Sequence, residues 1–244
     1  MASADETQRL PLWARPEPPR SGTQLSREAI VDGAIHIADT DGLPAVTMRR
    51  LATELDTRVM SLYTYVASKE DLLDLMFDEL ARRTVLGPDL PTGWRAGLHA
   101  IAHRVREMGL EHPWSMDIIG QRAPIGPNTL RVLDEWVGVL APLALPPAHA
   151  WQIATAVNVY VVGYTMREGA QRRVLPSDGD QVARWHRDIG AYLTTVADSG
   201  DLPHLAPLLR SGFAGTEDNF TAGLDWMINS IAAAHETTGQ AGSG

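Results

Sequence analysis

Residues 47–66, TMRRLATELDTRVMSLYTYV, set the tightest limit on how this chain can fold. Leu51 and Leu55 fall on one face of a first short helix, and Leu62 and Val66 fall on one face of a second. Very little sequence separates the two. The helices must cross closely at Ala52, where the side chain has to be small, and four residues later the chain has to turn sharply at Asp56. A turn of that kind suits Gly, which takes positive φ freely; Asp is among the few other residues that tolerate it, because its side chain bonds locally. The spacing therefore predicts a helix opened by a Thr47 cap and ending near Leu55, a turn on Asp56, and a helix over 59–65 that packs back through Leu62 and Val66.

That packing leaves Arg58, Met60, Ser61, Thr64 and Tyr65 on the outer face of the second helix. A helix presenting such a polar and aromatic face fits the major groove of duplex DNA. Thr47, Arg49 and Lys69 flank it, where hydroxyls and cations hold phosphates. Tyr63 reads as partly a packing residue. Over 47–69 the basic residues Arg49, Arg50, Arg58 and Lys69 outnumber the acidic Glu54 and Asp56, within a chain of net charge −9. Such a balance argues against a general nucleic-acid coat and leaves room for a local reading head. The alternative is an ordinary helical hairpin inside an all-α core.

The rest of the chain repeats helix signals, with no sustained strand alternation. Residues 1–24 are rich in Pro and charge and read as a flexible arm. Ser26 caps a helix carrying Ile30, Ala34, Ile37 and Ala38, which stops in DTDGLP. Ser68 and Asp71 form a capping box for a helix with Leu72, Leu73, Met76 and Leu80 on one face. The stretch LGPDLPTGW, 86–94, is a boundary. It divides a DNA-reading domain over 25–86 from a larger helical bundle over 87–238, with a disordered tail over 239–244. In that bundle helices are expected near 92–110, 114–120, 128–143, 147–171, 178–198 and 217–235. The fold class is all-α. No cysteine is present, which excludes disulfides and thiolate chemistry. The N-terminus has no apolar signal core and no apolar run is long enough to span a bilayer, so a cytoplasmic protein is expected.

LSREAIVDGAIHIADTDGLPAVTMRRLATELDTRVMSLYTYVASKEDLLDLM resembles the N-terminal domain of TetR-type transcriptional regulators over about residues 25–83, most specifically in MRRLA, SLYTYV and SKEDLLDLM. HPWSMDIIG, GPNTLRVLDEWVGVL and FTAGLDWMINSIAA resemble the C-terminal domain of the tetracycline-repressor branch, and LPLWARPEPPR is similar to what precedes the first helix in some members. The resemblance implies an all-α homodimeric repressor that binds a palindromic DNA operator and releases it when a small molecule fills a pocket in each C-terminal domain. By motif position Thr47, Arg49, Met60, Ser61, Tyr63, Thr64, Tyr65 and Lys69 fall where the family contacts DNA. The segment around Gly120 offers no His where the family has a metal ligand, and the acidic position late in the central helix is Arg167. The likeness thus stops short of magnesium–tetracycline, and neither metal nor cofactor is expected.

The helix expected over 147–171 is apolar nearly all round, so it should be buried on every side, in part by a second subunit. The resemblance implies a four-helix dimer interface built from it and the last helix, with Val157, Val161, Phe220, Leu224, Met227 and Ile231 as contacts. Candidates for an apolar or aromatic effector pocket are Trp114, Met116, Ile119, Trp136, Trp151, Asn158, Tyr164 and Trp185, with His103 and Arg167 behind them. Asn158 could serve the pocket or the dimer. His99, His103 and Glu107 share a helix face that could hold a metal, but opposite the apolar stripe Trp94, Leu98, Ile101, Val105 and Met108 they read as a solvated face. No hydrolase or phosphate-loop motif occurs. The competing class is an all-α small-molecule- or metal-binding enzyme, or an interaction module, without DNA binding.

Overall fold

Three side-chain caps set the helix starts at the N-terminal end. In a computed structural model, which describes residues 12–14, 25–121, 125–174, 179–211 and 219–241, Ser26 Oγ accepts from the Ala29 amide at 3.1 Å and opens α1, Arg27–Asp41. Thr47 Oγ1 accepts from the Arg50 amide at 3.1 Å and opens α2, Met48–Glu54. Ser68 Oγ accepts from the Asp71 amide at 3.0 Å and opens α4, Lys69–Thr84. Between them lies α3, Val59–Tyr63. Then come α5 (Trp94–Glu111), α6 (Pro113–Gln121), α7 (Pro127–Gly138), α8 (Pro147–Val174), α9 (Gly179–Asp198), α10 (Ala206–Arg210) and α11 (Asn219–Ala241), and no strand occurs among the described residues.

The chain is all-α, as expected, and divides into two compact units, Met1–Thr165 and Met166–Gly244. In the first unit one apolar core joins α1, α2, α3 and α4 through Ile30, Ile37, Leu51, Leu62, Leu72 and Met76, and continues into Trp114, Met116 and Ile118 of α6. Ala52 is buried and Leu55 packs at the edge of this core, as the hairpin spacing requires. In the second unit Ala197, Ala206 and Leu209 pack together, and Arg210 donates to the Ala197 carbonyl at 2.8 Å and to Asp198.

The structure departs from expectation at several places. Leu12–Ala14 forms a short 3-10 turn with Leu12 buried in the first core, so this part of the arm is docked; the remaining residues of 1–24 lie outside those described. α11 runs to Ala241, three residues into the expected tail. α10 was not anticipated: five residues in LAPLLR carry too little periodicity to register. α8 buries Ala154, Val157, Val161 and Thr165 but leaves Trp151, Val159 and Met166 open, because a single chain covers only one side of it. His99 and His103 are half-buried with rings stacked at 6.3 Å, while only Glu107 lies in solvent, 3.8 Å from Arg104. Metal ligands in groups of three do not occur among the described residues.

Candidate nucleic-acid interface

Asp56 holds φ 47. The Thr57 amide reaches back to the Ala52 carbonyl at 2.9 Å and the Asp56 amide to the Thr53 carbonyl at 3.3 Å. That pair of bonds is the Schellman arrangement, which ends a helix on one left-handed residue and satisfies carbonyls that would otherwise be orphaned. The acidic residue is therefore the pivot of the hairpin, held in the conformation Gly would adopt at lower cost.

Beyond the turn, Leu62 and Val66 are buried, Val59 packs at the edge of the core, and α3 turns Met60 and Tyr63 outward. Met60 is 75% exposed, and Arg58 and Thr64 are exposed beside it, with Ser61 half-buried. Arg49 is open on α2, while Arg50 is held by Asp41 at 3.1 Å. Thr47 accepts the Arg50 amide as a cap, yet its hydroxyl proton stays available to a phosphate. Lys69 is half-buried at the first turn of α4.

The two tyrosines exchange the roles their spacing suggested. Tyr63, taken as partly packing, is 43% exposed on the outer face. Tyr65, placed on that face, is half-buried against the core, and its carbonyl accepts from Arg27 Nη2 at 3.5 Å. The cause is that α3 stops at Tyr63 rather than 65. Thr64 and Tyr65 sit in a tightening turn in which the Tyr65 amide bonds the Leu62 carbonyl, so helical periodicity no longer assigns their directions.

The described pocket candidates lie in different settings. Trp114, Met116 and Ile119 pack into the core beneath α1 and α4, and Trp114 Nε1 donates to Asp39 at 2.6 Å. Trp136 is 1% exposed and its Nε1–H meets no acceptor among the described residues. Trp151 is exposed, Asn158 and Tyr164 are half-buried, and the Tyr164 ring tilts against Tyr160 at 5.9 Å. The Trp185 side chain lies outside the described residues. A cleft of about 640 Å³ opens elsewhere, between Leu12, Trp13, Tyr65, Leu75, Asp78 and Asn128. The expected dimer contacts need a correction too. Val157, Val161, Phe220 and Leu224 are buried within the chain, and Met227 and Ile231 are half-buried. The open apolar side chains on the same helices are Val159 at 64% and Trp226 at 73%. An all-round apolar helix gives no signal for which side turns inward.

Three carboxylates that sequence reasoning passed over bind the first four helices to those that follow. Asp39 of α1 accepts from Trp114 Nε1 and faces His112 Nδ1 at 2.7 Å. Asp78 of α4, 3% exposed, accepts from the Asn128 and Thr129 amides at 3.0 and 2.9 Å, from Asn128 Nδ2 at 2.8 Å and from Thr129 Oγ1 at 3.2 Å. Glu135 of α7 accepts from the Leu86 and Gly87 amides at 3.1 and 2.6 Å. The readable signal was GPNT, a helix start without a capping side chain of its own.

Comparison with known proteins decides the family. The model of the tetracyclin repressor-like, C-terminal domain matches residues 87–235. The chain belongs to the TetR family. It is 31% identical to the HTH-type transcriptional repressor DrrR1 of Streptomyces coeruleorubidus, over 90% of this chain and 83% of that one. It is 27% identical to an HTH-type transcriptional regulator of Saccharopolyspora erythraea, over 91% of both. Among solved TetR structures, ActR of Streptomyces coelicolor in complex with actinorhodin superposes with a TM-score of 0.71 and 26% identity, covering 87% of this chain and 97% of ActR. The protein is thus a DNA-binding transcriptional regulator of the TetR family, similar to regulators rather than to enzymes. Among its described residues no helix is long and apolar enough to cross a membrane.

Proposed function

We propose that this TetR regulator binds an inverted-repeat operator as a homodimer, acts in the bacterial cytoplasm as a repressor without catalytic activity, and releases DNA when an apolar or aromatic small molecule occupies its regulatory domain. Residues 25–86 form the reading domain and 87–238 the regulatory one. The observation that carries the reading is α3: a five-residue helix, sharply turned on Asp56, whose outer face of Arg58, Met60, Tyr63 and Thr64 is left uncovered. Such a helix buries too little to stabilise itself, and an open face of this composition suits base edges and phosphates. Thr47, Arg49, Ser61 and Lys69 complete the contact set, while Tyr65 supports the hairpin from the core side.

One such helix reads too few bases for an operator, so a two-fold pair is required. The open apolar side chain Trp226 supports dimerisation through the exposed side of α11. For the effector, the ActR complex with actinorhodin supports an organic ligand, and the buried Trp136 Nε1–H is a donor that a ligand carbonyl would satisfy.

Selection of duplexes from a random library by the full-length protein tests the reading. An inverted repeat with half-sites about 34 Å apart is expected, with affinity falling steeply as salt rises. Failure to enrich any sequence, or a flat salt response, would refute it. Trp226→Asp should shift the protein from dimer to monomer in sedimentation; a dimer that persists would exclude this face.

A further inference from the structure

The regulator reading leaves open how the position of α3 is set, and the carboxylates joining α4 to α7 answer that. We propose that Asp78 and Glu135 are positioning residues for operator binding: they fasten α7 to α4 at two points, so that α7 dictates the direction of α4 and hence the angle at which α3 meets DNA. The proposal rests on the regulator reading and extends it to particular residues.

A carboxylate buried in an apolar helix face is costly unless hydrogen bonds replace its hydration. Asp78 is 3% exposed, and the four bonds to it come from Asn128 and Thr129, in the first turn of α7. That helix has no cap of its own. Its N-cap is Gly126, which makes no side-chain bond, and Pro127 follows. A Cβ on Gly126 would run into the Asp78 carboxylate and the Trp13 ring. The glycine is therefore what lets a carboxylate from another helix take the capping position. Ser, Thr and Asp normally cap their own helix; here the cap belongs to α4, so α7 cannot leave α4 without exposing its first amides.

The second fastening runs the other way. Glu135 of α7 takes the Leu86 and Gly87 amides just past the end of α4. Asp78 precedes Leu86 along the chain as Asn128 precedes Glu135, the latter pair lying roughly 10 Å apart along α7. The two helices thus run parallel, tied at both ends of a common span. One tie would allow α7 to pivot; two forbid both pivoting and sliding. At the other end of α4, Leu72 and Met76 share a core with Leu51 and Leu62, so α4 and the hairpin form one body. A displacement of α7 must then carry α3 with it.

The test uses the full-length protein, a duplex it has itself selected from a random library, and fluorescence anisotropy. Asp78→Ala and Glu135→Ala should each weaken operator binding by about tenfold, with the double variant losing little more than the worse single one, since freeing either end releases the lever. Gly126→Ala should act like Asp78→Ala by displacing the carboxylate, and Asp78→Asn should lose less, because its carbonyl still accepts. Circular dichroism establishes that each variant is folded at the assay temperature. The readout that a merely structural role would not move is hydrogen exchange in the wild type. Operator binding should slow exchange at the Leu86, Gly87, Asn128 and Thr129 amides severalfold, because coupling is reciprocal. Exchange unchanged by operator, or folded variants that bind as the wild type does, would overturn the proposal alone. If Asp78→Ala does not fold, Asp78→Asn and the wild-type exchange decide. A wild type that selects no DNA overturns the regulator reading as well.

Discussion

α3 and α4 lie five residues apart and are built on opposite plans. α3 has five residues, no side-chain cap, and one wholly buried side chain, Leu62. α4 has sixteen, a Ser68 cap, acidic residues in its first turn and arginines in its last, where they suit the helix dipole, and nine buried positions. The short helix is held by its neighbours so that its outer face stays free; the long one is gripped on several sides and gives its own carboxylate, Asp78, to another helix. Presentation and transmission thus need opposite balances of burial, and the chain places them side by side.

The contrast breaks most visibly at Leu62. As the one wholly buried side chain of α3, its replacement by Ala should cost about 2–5 kcal/mol, measured by urea denaturation, and abolish operator binding. A loss under about 1 kcal/mol would mean that α3 does not depend on the core. The tyrosines sharpen the point. Tyr65→Ala should destabilise by about 1–3 kcal/mol, whereas Tyr63→Ala should change stability by less than about 0.5 kcal/mol and act on operator affinity instead. Equal stability losses at both would return them to the roles their spacing suggested.

A smaller effect is expected at the pivot. Asp56→Gly removes left-handed strain from a non-Gly residue but adds chain entropy to the unfolded state. A net gain of at most about 1 kcal/mol is expected, with operator binding kept or strengthened, since a carboxylate leaves the interface. A marked loss of either would show that the Asp side chain makes the turn.

The smallest effect concerns the last turns of α4. Hydrogen bonding to Arg82 holds the Glu79 carboxyl below its ordinary value; burial opposes this, and Arg83 adds to the lowering. A depressed folded-state pKa means stability present above the unfolded value near 4.5 and lost as pH falls through the folded one. Glu79→Gln should therefore flatten the acid limb of a melting-temperature profile below about pH 4.5 while leaving neutral pH nearly unchanged. An identical acid limb would show that the bridge to Arg82 is too exposed to matter.

The amino-acid sequence by itself determined the all-α class, most helix limits to within a few residues, the hairpin and its turn at Asp56. These rest on short-range rules: helical periodicity, caps that bond three residues on, and a φ that few residues accept. Only the tertiary structure decided which tyrosine faces out, which side of α8 and α11 turns inward, that Leu12 is docked, and that Asp78 caps α7. Each of those depends on partners some fifty residues away or on where a helix tightens and stops. A buried carboxylate in LLDLMFDEL reads as an ordinary break in an apolar stripe until the glycine that makes room for it, 48 positions later, is brought alongside.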